Sequence, residues 1–257
     1  ETGTRHRTGD RLSQQTGAPV VVVSASMSVM SLFLNGRRYP IERPEQLLAR
    51  ANQALATLSS YRARLVEEAD NLTMLEVRDQ VQVRDVAAVA QRVEMWRRID
   101  AEVRGYVSAL GVEGRLVQLQ RNELSLGVED LGRLLTEDYR PDSVAPGEFS
   151  LSGLQKLPWE DLLDVAKVAG AIDLDPVEHP LDAPMQPRGH RQLASITDLS
   201  SRAIQAIIDH FSNLQTLVSA STSELGDVKG VGLKRAREIR QGLESIFEND
   251  QRTHHFH

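Results

Sequence analysis

The sequence predicts a mixed chain: a small α/β portion, an all-α middle, and a C-terminal pair of helices joined by a tight glycine hairpin. Three observations predict it. Four consecutive valines, Val20 to Val23, precede two further β-rich stretches joined by Asn35-Gly36. Apolar residues then recur at three-and-four spacing over many turns, the period of a helix. Near the end, Gly230-Val231-Gly232 separates two short patterns of the same kind.

Composition bounds the classes. The 257 residues are 40% hydrophobic and 26% charged, ordinary for a globular protein. The valine run is far too short to cross a bilayer, and no basic-then-apolar leader opens the chain. A cytoplasmic protein with no membrane partner is therefore expected, and the absence of cysteine fits a reducing compartment. A net charge of -6 excludes a protein that coats nucleic acid with its whole surface, but it allows a local basic patch. The chain opens on Glu1, not Met, and runs straight into a dense polar motif, so a piece lacking its upstream part is expected.

A short helix is expected from about Thr8 to Thr16, stopped by Gly17-Ala18-Pro19. Pro19 to Ser24 reads as a strand buried on both faces. Val29 to Leu34 and Arg37 to Ile41 read as two more, with Asn35-Gly36 supplying the positive φ angles of a two-residue hairpin. These strands are too few to close a sheet alone. Pro44 opens a helix where its missing N–H costs nothing. Leu47, Leu48, Ala51, Leu55 and Leu58 share one face of it, which is expected to cover the sheet.

Val83 to Leu110 reads as one long amphipathic helix, a bundle core in preference to a coiled-coil seam. Shorter helices are expected at Leu116 to Leu124, Leu131 to Leu135 and Asp161 to Ala169, with a loop from Arg140 to Gly147. Asp173 to Arg188, with four prolines, reads as a linker. The histidine-bearing end, Gln251 to His257, is expected to be a disordered tail and not a metal site.

The hairpin near the C-terminus carries the strongest chemical signal. Leu225 and Val228 close a first short helix, and Leu233, Ala236, Ile239 and Leu243 are expected to face inward from a second. Glycines admit backbone angles closed to other residues and let a phosphate approach the main chain. The N–H groups opening the second helix offer unpaired donors and partial positive charge to an anion. Lys229, Lys234, Arg235, Arg237 and Arg240 surround them, opposed only by Glu238, a local charge of +4. A Gly-x-Gly turn alone is a plain helical connection; this cation cluster makes it a helix-hairpin-helix motif. It would grip the sugar-phosphate backbone through Lys229, Gly230, Val231, Gly232, Lys234, Arg235 and Arg237. Ile196 to Phe211 repeats the outline without the glycines, so a packing partner is expected there, with Phe211, Leu214 and Leu217 in the core. Backbone contacts carry no base information, so binding should be sequence-independent and salt-sensitive.

Gly3-Thr4-Arg5-His6-Arg7 admits two readings: a frayed solvated end, or a triphosphate-binding loop. Two guanidinium forks can grip phosphate oxygens, Thr4 and Gly3 can donate, and His6 can add a hydrogen bond or a proton.

The string from Glu1 to Thr8, followed by the Val20 to Ser24 strand, resembles the Arg-His-Arg motif of diadenylate cyclase domains. Leu48 to Leu58 resembles the helix that follows in one branch. Over essentially the whole chain the order is similar to the DNA integrity scanning family. The resemblance implies a remnant of an α/β cyclase domain over residues 1–66 and an all-α linker bundle over 67–188. A helix-hairpin-helix DNA-binding domain over 189–247 and a tail over 248–257 complete it. It implies condensation of two ATP into cyclic di-AMP with release of pyrophosphate, Mg or Mn as cofactor, a homo-octamer, and branched DNA that suppresses synthesis. It also implies phosphate contacts from Thr4, Arg5, His6, Arg7 and Ser24. The family's metal-binding Asp-Gly-Ala motif occurs nowhere in the sequence, so the chain as given is expected to be inactive alone. A competing reading is a non-catalytic helix-hairpin-helix repair subunit, in which Arg5-His6-Arg7 is only surface.

Overall fold

The computed structural model describes residues 4–24, 29–145, 147–174, 180–196 and 199–253. The chain forms two compact units: residues 1–56 with 102–121, and residues 57–101 with 122–257.

In the first unit, helix α1 (Thr4–Thr16) starts one turn earlier than the sequence reading placed it. Nothing in Thr4 to Arg7 opposes a helix, and the Thr8 hydroxyl donates back to the Thr4 carbonyl at 3.0 Å. Strands β1 (Val20–Ser24), β2 (Val29–Leu34) and β3 (Arg37–Ile41) form an antiparallel sheet in that order. Asn35 and Gly36 take φ of 50° and 71°, the pair of positive values a two-residue hairpin needs. His6, Gly9 and Ser13 are the buried face of α1. A β-carbon on Gly9 would run into Val22 and Phe33, and the Ser13 hydroxyl donates to the Phe33 carbonyl at 3.1 Å.

The element laid on the sheet is thus α1, where the Pro44 helix was expected. Among the described residues the valine run is also covered on one face only. Side chains alternate along a strand: Val20 and Val22 are half-buried, Val22 against Gly9 of α1, while Val21 and Val23 are 58% and 59% exposed. They share their face with the exposed Met30, Tyr39 and Ile41.

Helix α2 (Pro44–Val77) begins where expected but runs for 34 residues. It buries Ala51, Leu55 and Leu58, while Leu48 is exposed. Helix α3 (Val83–Leu110) ends at Gly111, whose φ of 56° turns the chain into a short 3-10 segment, Gly111–Gly114, and then into α4 (Arg115–Ser125).

In the second unit α3 buries Val83, Val86, Val89 and Trp96, which makes it a bundle core. Helix α5 (Val128–Tyr139) approaches it closely at Gly132, where a β-carbon would sit 3.3 Å from Val93. It is two turns longer than the Leu131 to Leu135 reading. A 3-10 turn (Leu151–Lys156) leads to α6 (Trp159–Leu162) and α7 (Val165–Ala171). The single helix expected over 161–169 is split because Asp164 turns its carboxylate onto the Ala166 amide at 3.0 Å and caps α7. Polar side chains of α3 satisfy the carbonyls of these turns. Gln91 donates to Leu162 at 2.7 Å, and Arg98 donates to Leu154 and Leu157 at 2.8 and 2.7 Å.

Of the expected linker, Leu174 is buried, and residues 180–188 are pinned and not free. The amides of Val83, Arg84 and Met185 bond the carbonyls of Ala183, Leu181 and Val81 at 3.0, 3.0 and 2.8 Å. Five helices follow: α8 (His190–Ser195), α9 (Ser201–Phe211), α10 (Leu214–Ser219), α11 (Thr222–Asp227) and α12 (Gly232–Thr253). They share one apolar core, in which Leu193, Ile204 and Ile207 meet Leu225, Ile239 and Leu243, with Leu214 and Leu217 between the halves. Phe211 packs on its edge. Helix α12 runs to Thr253, through residues 248–253 that were expected to belong to a disordered tail, and residues 254–257 lie outside the described residues. No helix among the described residues is long and apolar enough to cross a membrane.

Candidate nucleic-acid interface and phosphate motif

The turn between α11 and α12 is built from alternating anchors and glycines. Ser221 and Glu224 cap α11 reciprocally, with the Ser221 hydroxyl accepting from the Glu224 amide at 3.3 Å. Val228 and Val231 are buried and hold the turn onto the core. The Val231 amide donates to the Val228 carbonyl at 3.0 Å. Gly230 and Gly232 have φ of 91° and 68° and open space where a β-carbon would be, so glycine is required here by backbone angle and not by crowding. Helix geometry leaves the amides of Gly232, Leu233 and Lys234 without an intrahelical acceptor, at the positive end of a 22-residue helix.

Lys229, Lys234, Arg235 and Arg237 are exposed around that end. Lys234 is 92% exposed and only 3.9 Å from Glu238, a contact worth little in water. Arg235 donates to the Gly230 carbonyl at 3.1 Å and so braces the turn. Arg240, counted with this cluster from sequence, turns away. It donates to the Val218 and Ala220 carbonyls at 2.9 and 2.8 Å, closing the end of α10, and pairs with Glu244 at 2.7 Å. Ala236, Ile239 and Leu243 face inward as expected, but Leu233 is 61% exposed. It leans on the backbone of α11, where a β-carbon on Gly226 would meet it at 3.0 Å.

The glycine-free repeat behaves as a packing partner. Ile196 and Leu199 pack on the common core, and the Ser200 hydroxyl accepts from the Ala203 amide at 3.3 Å. Thr197 and Asp198 lie outside the described residues.

At the other end of the chain, Thr4, Arg5 and Arg7 are exposed on the first turn of α1. The motif is therefore itself a helix start, not the segment before one. His6 points the other way. It is 2% exposed and meets Phe33 edge-on with ring centroids 6.1 Å apart, and its Nε2 has no protein partner among the described residues. Ser24 is buried at the end of β1, and Gly3 lies outside the described residues. Among the described residues no three His, Asp or Glu side chains converge as a metal ion would require.

The family model described as the DisA bacterial checkpoint controller nucleotide-binding region matches residues 1–38. The one described as the DisA linker region matches residues 41–179. The chain is 86% identical over 255 residues to the DNA integrity scanning protein DisA of Cutibacterium acnes, covering 99% of this chain and 74% of that protein. It is 46% identical to the DisA proteins of Acidothermus cellulolyticus and Streptomyces coelicolor, covering 97% of this chain and 68% of each.

The chain belongs to the DisA family.

In this DisA-family chain, one constellation escaped the sequence reading: a buried polar joint among α2, α5 and α8. The Asp138 carboxylate, at the end of α5, accepts from the amides of Gly189, His190 and Arg191 at 2.7, 2.6 and 2.8 Å. It thereby caps α8 from another element. Glu76, fully buried in the last turn of α2, accepts from Arg191 and from the Tyr139 hydroxyl, each at 2.6 Å, and from Gln192. Arg191 also donates to the Ala69 carbonyl at 2.9 Å and to the Thr73 hydroxyl at 3.2 Å. Burial pushes the Glu76 carboxyl above the ordinary carboxylate range against the pull of Arg191, and burial beside Glu76 pushes the Tyr139 phenol well above its own. Removing one member of such a buried pair strands the other, at a cost of roughly 3–5 kcal/mol. The partners lie too far apart in sequence to leave a local pattern.

Proposed function

We propose that the chain is the DNA-sensing and linking part of a diadenylate cyclase, joined to a portion of the cyclase domain. The observation that carries the sensing half is the start of α12. There three amides without intrahelical acceptors stand among Lys229, Lys234, Arg235 and Arg237. In this reading α8 to α12 are a paired helix-hairpin-helix domain. The glycine hairpin holds one DNA phosphate on the amides of Gly232 to Lys234, the cations neutralise its neighbours, and no base edge is read. Branched junctions, in which duplex arms present backbones at several angles, are the proposed target, and the nucleoid the proposed place.

The catalytic half rests on family membership. Two ATP would condense to cyclic di-AMP and pyrophosphate in a homo-octamer, with synthesis suppressed when DNA is held. Arg5 and Arg7, exposed on the first turn of α1, supply bidentate grips for phosphate oxygens, and Thr4 adds a hydroxyl. His6 seats that turn on Phe33, and Ser24 is buried at the end of β1. Arg5 to Arg7 carry no carboxylate, so this motif does not itself fit Mg or Mn. The division at residues 66 and 188 is part of the same proposal. The test is direct: with an upstream segment bearing Asp-Gly-Ala, Mn and ATP, the protein yields cyclic di-AMP. Only ADP or AMP by mass spectrometry would refute the catalytic half.

A further inference from the structure

The joint among α2, α5 and α8 does more than bury polar groups. It ties three separate parts of the C-terminal helices to the linker. Asp138 holds the start of α8, and Glu76 holds Arg191 and Gln192. The Glu76 carbonyl accepts from Gln215 of α10 at 3.1 Å. Arg188, just before α8, donates to the carbonyls of Asp138 and Arg140 at 3.2 and 2.6 Å and pairs with Asp142. Asp138 and Glu76 are 0% exposed, so neither carboxylate can take water in place of a lost donor.

That makes the joint unsuited to sliding or graded tilting. A small rotation of α8 would strand three amides and two buried carboxylates together, so the intermediate positions are costly and the helices move with the linker as one body. Glu76 sits in the last turn of α2, a single continuous helix that begins at Pro44. Displacement at the hairpin is therefore delivered to α2 instead of being absorbed at a loose connection.

We propose that Glu76 and Asp138 are positioning residues for the response to DNA: they seat the hairpin-bearing helices on the linker so that DNA held at Gly232 changes the cyclase. This rests on the function proposed above. Neither residue is placed at the phosphate motif or at the hairpin.

The test uses the whole enzyme with Asp138→Asn, which keeps the shape but replaces an acceptor oxygen with a donor. Tyr139→Phe is the milder variant, removing one donor to Glu76 and keeping the ring. DNA affinity by fluorescence anisotropy and cyclic di-AMP formation without DNA should stay close to wild type. Suppression of synthesis by saturating DNA should weaken about fivefold or more in Asp138→Asn, and partly in Tyr139→Phe. Lower melting temperatures combined with wild-type suppression by DNA would overturn the proposal, leaving the joint a stabiliser only. A wild-type enzyme that binds DNA yet makes product at an unchanged rate would overturn the proposed function as well, and this result is distinct from the first.

Discussion

Two helix starts in the same C-terminal domain are treated in opposite ways. At α8 the first amides are filled by Asp138, a buried carboxylate brought from α5. At α12 the first amides open on exposed glycine, among cations that face solvent. The helices between them follow the first pattern locally: Ser200, Asn213 and Ser221 each accept from an amide one turn on. The same backbone object is thus a structural socket in one place and, in the function proposed above, an anion platform in the other. What separates them is whether the protein supplies the negative charge itself.

The largest effect is expected at the socket. Arg191→Met leaves Glu76 buried without its cation, and the second unit should lose roughly 3–5 kcal/mol of stability in urea unfolding. Loss below about 1 kcal/mol would mean that the joint is solvated and is not a lock.

At the platform, Gly232→Asp combines a β-carbon at φ 68° with a negative charge at the phosphate position. DNA affinity should fall about a hundredfold, close to 3 kcal/mol, while circular dichroism stays unchanged. Unaltered retention on DNA would show that the phosphate does not sit at Gly232. Lys234→Glu should weaken binding about tenfold and flatten the salt slope by about one phosphate contact. Ser200→Ala removes a cap of the socket kind and should cost about 1 kcal/mol of stability with DNA affinity unmoved.

The smallest effect concerns pH. Burial alone would raise the Glu94 carboxyl, but hydrogen bonds and charge from Arg97 and Arg98 more than reverse this, and it titrates below the ordinary range. A lowered pKa contributes stability above the unfolded value, about 4.3, and loses it as pH falls through the folded one. The stability gap between wild type and Glu94→Gln should therefore be present at neutral pH and close in acid. A gap that widens in acid would contradict the assignment.

The contrast also explains what the sequence made legible. The platform is local: Gly230, Gly232 and the cations sit within a dozen residues, and turn chemistry reads directly from such a string. Asn35-Gly36, Pro44 and the Val83–Leu110 helix were legible for the same reason. The socket is non-local. Glu76 and Arg191 are 115 residues apart, Asp138 and Arg191 53, and no spacing rule links a carboxylate at one helix end with amides opening another. Leu233, Arg240 and His6 show the same limit. Leu233 was expected inward, Arg240 with the cation cluster and His6 in a loop, but the direction each side chain takes depends on what the fold brings beside it: the α11 backbone, the α10 carbonyls and Phe33. The double-sided burial expected for Val20 to Val23 failed likewise, because a run of valines does not reveal how many faces the chain will cover.

The start of α12 is proposed to hold DNA by its backbone. The most direct measurement is the affinity of this chain for two duplexes of unrelated sequence and for a four-way junction, across a salt series. Equal affinity for the two duplexes is expected, with a steep linear fall of log affinity with log salt that is lost in Gly232→Asp. Affinity that differs strongly between the duplexes, or that ignores salt, would contradict it.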